Sequence, residues 1–118
     1  MAGEKILHVG YDSMLIEVRE AVLRRYGYSV FTVEANEAAK QFPVENVDLV
    51  IVGNGGTLEE RREIVTWFAT HRPGVPVLVM RAGVEESFPE ATVEFIGDTP
   101  QDWIQSIKGA LRSKEKAG

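Results

Sequence analysis

Asp48-Leu49-Val50-Ile51-Val52-Gly53-Asn54-Gly55-Gly56 decides the fold, read with its counterpart Lys5-Ile6-Leu7-His8-Val9-Gly10-Tyr11-Asp12. Both are short apolar runs rich in Val and Ile, unbroken by polar alternation, and each stops at glycine. Such runs read as strands buried on both faces of a parallel sheet. In that architecture the working crevice lies beyond the carboxyl ends of neighbouring strands. Chemistry is therefore expected after Val9 and Val52, where the sequence places two glycines.

Outward from these runs, strand and helix patterns alternate, as in an α/β layer fold with right-handed crossovers. Leu15, Val18 and Val22 recur at helical spacing from Ser13 to about Tyr26, Glu20 and Arg24 stand one turn apart, and Gly27 ends that helix. Tyr28 to Val33 reads as a second strand, followed by a short helix capped by Asn36 and stopped by Pro43. Thr57-Leu58-Glu59-Glu60 is a capping box opening a helix that runs to about His71. Val75 to Met80 and Val93 to Ile96 are the fourth and fifth strands. Thr99-Pro100-Gln101-Asp102 starts the last helix, which carries Ile104, Ile107 and Leu111 on one stripe. Only the residues between Ala82 and Glu94 join strands four and five. A parallel crossover with its helix needs about a dozen or more, so at most one helical turn near Val84 to Phe88 is expected.

The length of 118 residues fits one domain, with a core over 5–111 and a solvated flexible tail over 112–118. The absence of cysteine removes disulfides, thiolate metal sites and cysteine nucleophiles. No stretch resembles a signal peptide or a membrane span, and the net charge of −5, with acids and bases interleaved, describes no nucleic-acid footprint. A soluble cytoplasmic protein that binds neither membrane nor nucleic acid is the expectation.

With the strands placed, Lys5 to about Leu111 resembles the receiver domain of bacterial response regulators, the flavodoxin-like phosphoacceptor module of two-component phosphorelay signalling. Lys5 to Asp12 is similar to the family's first strand and acidic turn, Gly27-Tyr28-Ser29-Val30 to its entry into strand two, Asp48 to Ile51 to its third strand, and Val75 to Val79 to its fourth. The resemblance implies a doubly wound five-stranded parallel sheet, here with the helix between strands four and five shortened or missing. It also implies a site: an acidic pair and a strand-three aspartate that bind Mg²⁺ and accept a phosphoryl group, with a hydroxyl and a lysine from later strands on the phosphate. In this chain those positions hold Gly10 and Tyr11, Gly53, Arg81, and Asp98 or Thr99, so none of the family's side chains is retained. Asp12 follows the pair and is expected to cap the first helix.

Phosphoryl transfer needs a nucleophilic oxygen and cationic neutralisation of the transferring group. Glycine at 53 offers no oxygen, and Mg²⁺ is usually anchored by a carboxylate. The expectation is a degenerate, stand-alone receiver without cofactor, metal or enzymatic activity, acting through a protein partner or as a homodimer. Arg81 either fills the vacated pocket and pairs with Asp98 or Asp12, or projects into water. The alternative is a small-ligand or nucleotide sensor using the loops Gly10 to Asp12 and Gly53-Asn54-Gly55-Gly56-Thr57. That second loop matches neither phosphate-loop nor dinucleotide patterns, and reads as flexible. His8 is expected to be a buried, hydrogen-bonded strand residue, and His71 to sit at a helix carboxyl end. Trp67 and Trp103 are core residues or interface anchors, with the first and last helices a plausible docking surface.

Overall fold

The structure, a computed structural model, describes residues 3–43, 46–97 and 99–117. Five parallel strands form one sheet in the order β2-β1-β3-β4-β5. They are β1 (Lys5–Gly10), β2 (Ser29–Glu34), β3 (Leu49–Val52), β4 (Val77–Met80) and β5 (Val93–Phe95), and the helices are α1 (Ser13–Arg25), α2 (Asn36–Lys40), α3 (Leu58–His71) and α4 (Pro100–Ala117). The fold is the doubly wound receiver-type sheet that the sequence implies. Its switch point lies between β1 and β3, where the chain leaves the centre of the sheet in opposite directions.

Alternation along each central strand sorts the core into two layers. Ile6, Leu49, Ile51 and Leu78 face Leu23 of α1 and Ile104 and Ile107 of α4. Leu7, Val9, Val50, Val52 and Val79 face Ile64 and Phe68 of α3. The apolar runs are buried on both sides, which is why they lack polar alternation.

Local signals account for the helix ends. Asp12 accepts from the amides of Met14 and Leu15 at 3.0 and 3.2 Å and caps α1, while Gly27, at φ +93°, takes the left-handed position past its end. Thr57 and Glu60 form the reciprocal capping box of α3. Thr99 accepts from the Asp102 amide at 3.1 Å at the start of α4. Asn36 does not cap α2. That position is Ala35, at φ +77°, and the Asn36 side chain instead accepts from the Tyr11 hydroxyl at 2.5 Å and donates to the Glu60 carbonyl at 2.9 Å. α4 continues as helix to Ala117, across the stretch expected to be a frayed tail; its Lys, Glu and Ala residues are strong helix formers.

The β4–β5 connection contains no helix. It is a strap of turns laid across α3 and fastened by an ion pair whose arginine is buried and whose glutamate is partly so. Arg61 of α3, 3% exposed, donates from both guanidinium nitrogens to the Glu86 carboxylate at 2.8 and 2.7 Å, and its Nε donates to the Gly56 carbonyl at 3.1 Å. Glu86 also accepts from the Ala82 amide at 2.7 Å. Phe88 is buried beneath the Arg61 guanidinium, and Thr66 and Arg62 reach Glu90 and the Ser87 carbonyl. A side-chain lock thus replaces the missing crossover helix.

Helix α1 is turned differently from what its apolar spacing suggests. Leu15, Val18 and Val22 lie outward or partly so, with Val18 61% and Met14 78% exposed, whereas Ile16, Arg19, Glu20 and Leu23 face the sheet. The two glycines at the strand ends explain the choice.

Candidate functional site

His8, Gly10 and Gly53 lie on the sheet face that α1 covers. A Cβ on Gly10 would stand 2.3 Å from Ile16 Cγ1, and one on Gly53 would stand 3.1 Å from an Arg19 guanidinium nitrogen. The volume that strand-end side chains would fill is therefore occupied by Ile16 and Arg19, one turn apart on α1. The crevice expected to be empty is plugged.

The Arg19 guanidinium donates to the Asn54 side-chain oxygen at 2.8 Å. Burial lowers its pKa, and the nearby Asp12 carboxylate works against that shift. The internal cation of this site comes from α1, not from Arg81. Arg81 turns to the strap, where it donates to the Val84 carbonyl and lies 3.8 Å from Glu94. It neither fills the pocket nor projects freely into water. The proposed partner Asp98 lies outside the described residues, and Asp12 is engaged as the α1 cap.

His8 is fully buried beneath this plug, and neither ring nitrogen has a hydrogen-bond partner. The expected hydrogen-bonded imidazole is thus absent. Burial first, then the Arg19 charge, pushes its pKa down from 6.5 to about 4, with Glu20 opposing. Below that value a second cation would be forced beside Arg19.

The loop after β3 is packed rather than loose. Gly55 approaches Asp12, and a Cβ on Gly56 would stand 2.9 Å from the Tyr11 ring, so glycine is required for the close approach of the two loops. The Tyr11 hydroxyl is held by Asn36, and burial raises its pKa. Beside it, Gly10, Tyr11, Ser13, Gly55 and Gly56 line a shallow depression that also carries Glu34 and Glu60. Two carboxylates there oppose a phosphate-bearing ligand. Among the described residues no cluster of three His, Asp or Glu could hold a metal ion, and no helix is long and apolar enough to cross a membrane.

The two tryptophans separate. Trp103 is buried in the α1–α4 layer at 4% exposure, with its indole nitrogen unpartnered, which removes it as an exposed anchor. Trp67 is partly exposed at the edge of α3, stacked on His71 at 4.7 Å with Arg72 over its ring. Thr99 serves as a helix cap. Sequence reasoning missed Arg19 and Ile16; the available signal was their spacing with Leu23 at i, i+3 and i+7, which puts all three on one helix face.

No family model matches the chain, and no curated protein sequence matches it. Solved structures do match. A response regulator receiver domain protein (CheY-like) from Methanospirillum hungatei JF-1 superposes with a TM-score of 0.81 at 24% identity, over 98% of this chain and 99% of that one. A response regulator receiver domain protein from Clostridium thermocellum gives 0.85 at 17% identity, over 98% and 99%. TrrA of Thermotoga maritima, in its complex with the histidine kinase ThkA, gives 0.78 at 21% identity, over 92% and 98%. At these identities the likeness shows the shared fold, and function must be argued from the site.

Proposed function

We propose that this chain is an atypical receiver domain in signal transduction that is not phosphorylated and acts by binding another protein. The observation that carries the reading is the plug: Arg19 stands where a side chain on residue 53 would project, and Ile16 where one on residue 10 would. A phosphoacceptor site needs an oxygen nucleophile there and an anchored divalent cation. This chain supplies a guanidinium and a branched alkyl group instead. Among the described residues no nucleophile and base are assembled elsewhere around the switch point, and the reading includes no enzymatic activity and no cofactor. A cytoplasmic setting and a single domain over 1–118 belong to the same proposal. A protein partner fits because TrrA, of the same fold, is seen bound to a kinase.

Incubation with acetyl phosphate and Mg²⁺, followed by intact-mass measurement, tests the reading. An unchanged mass is expected. A metal-dependent gain of one phosphoryl group, labile to hydroxylamine, would overturn it.

A further inference from the structure

The outward face of α1 presents Met14, Leu15, Val18 and Ala21, with Met14 78% and Val18 61% exposed, while Val22 at its edge packs partly against the core. At about 3.6 residues per turn, Met14, Val18, Ala21 and Arg25 form one stripe of alternating four- and three-residue steps. Such a stripe is the seam on which two helices pack. It continues over Val18 and Val22 into a groove of about 250 Å³ walled by Phe95, Pro100 and Trp103. Apolar surface of this extent on one side of a small protein marks a contact site.

The charges say what covers it. Glu17 and Arg24 are seven residues apart, hence on the same flank of the stripe, two turns from one another. When a helix packs antiparallel on a copy of itself, like flanks meet and the order of residues reverses. With Val18 opposite Ala21 of the copy, Arg24 of the copy lies two residues, about 3 Å of helix rise, beyond the level of Glu17 on the same flank, within reach of its long side chain, and the two-fold axis repeats the pair. Both charges are exposed, and among the described residues Arg24 is held by a loose intrahelical contact to Glu20 at 3.7 Å. The small Ala21 permits close approach of the two helices.

We propose that the occupant of this face is a second copy of the chain, joined through an antiparallel α1–α1 contact with reciprocal Glu17–Arg24 pairs. This names a partner for the contact-based function above and rests on that reading. The contact is isologous and closes as a dimer. Two helices of 13 residues, each roughly 20 Å long, cover less than the roughly 800 Å² per partner of a standard interface. Association is therefore weak, with a dissociation constant on the order of 100 µM.

Sedimentation equilibrium of the full chain, without Mg²⁺ or phosphoryl donor, reads this directly. The average mass should rise from 13.1 kDa towards twice that value as concentration passes the dissociation constant. Val18→Glu, or Met14→Gln should the first variant fold poorly, should raise that constant about tenfold or more. Glu17→Arg and Arg24→Glu should each weaken association by roughly three- to tenfold, and the double reversal should recover most of it. A monomer at every concentration, association untouched by Val18→Glu, or a double reversal no better than either single change would each overturn the proposal. A monomer that also resists acetyl phosphate would remove the dimer alone and leave the functional reading standing.

Discussion

Arg61 and Glu86 meet through two parallel hydrogen bonds of 2.8 and 2.7 Å, joining α3 to a connection that has no regular structure of its own. The pair is nearly sealed from water, with side-chain exposures of 3% and 13%. Hydrogen bonding to Arg61, reinforced by the Ala82 and Gly83 amides, holds the Glu86 carboxyl down from 4.5 to about 2. Removing one partner would strand the other charge in a dry setting.

Glu86→Ala should therefore destabilise the fold by about 3 kcal/mol or more. Denaturant unfolding gives the size of the effect. Hydrogen exchange gives its place, since protection should fall first in residues 82–92. Loss spread evenly over the sheet, or a change below about 1 kcal/mol, would show that the strap does not depend on the pair.

His8 and Glu86 shape the response to acid. His8 has a folded pKa of about 4 against 6.5, so from pH 6.5 downward the unfolded chain takes up a proton that the folded chain refuses. The contribution of His8 should be constant above pH 6.5 and decline towards pH 4, by roughly 3 kcal/mol in full. Glu86 adds a second loss as pH falls from 4.5 towards 2. In melting curves across this range, His8→Leu should flatten the limb between pH 6.5 and 4.5 and leave the lower limb in place. An unchanged upper limb would place the acid sensitivity elsewhere.

The plug can be probed by crowding it. Gly10→Ala forces a methyl group against Ile16 and should cost about 2 kcal/mol. Combining it with Ile16→Ala should cost less than the sum of the two single changes, by about 1 kcal/mol or more, because the residues share one volume. Additive costs would mean that they do not.

Ala35 sits at φ +77° and ψ 159°, a region that suits glycine rather than alanine. Ala35→Gly should raise stability by about 1 kcal/mol in denaturant unfolding, through relief of backbone strain. A loss of stability would exclude that strain.

The sheet was legible because each central strand is a continuous apolar run bounded by glycine, proline or a capping residue, and because the order and spacing of the strands from Lys5 to Ala82 resemble those of receiver domains. The short run from Ala82 to Glu94 rightly predicted a helix shortened or missing, but not the lock: Arg61 looks like any charged helix residue until Glu86 is brought beside it. The orientation of α1 was harder. Its most apolar spacing, Leu15-Val18-Val22, signals a helix correctly and suggests the wrong inward face. Helical periodicity records which residues share a side, whereas which side turns inward depends on the room beneath it. Here Gly10 and Gly53 leave room for one long and one branched side chain, and an arginine enters because Asn54 is placed to accept from it. At Arg81 the reverse holds: a position that points to the site by resemblance is drawn off by the strap's carbonyl and Glu94.

The shortness of β5 has a consequence at the rim of the sheet. Val93–Phe95 exposes only three residues of unpaired backbone on its outer side, and Glu94 carries a charge in the middle. So brief a margin gives an incoming strand little to add to. The opposite margin, β2, runs for six residues and leaves Phe31 42% exposed. Misassembly by strand addition would therefore begin on the β2 side, and the two borders of the sheet are unequal in their tolerance of crowding.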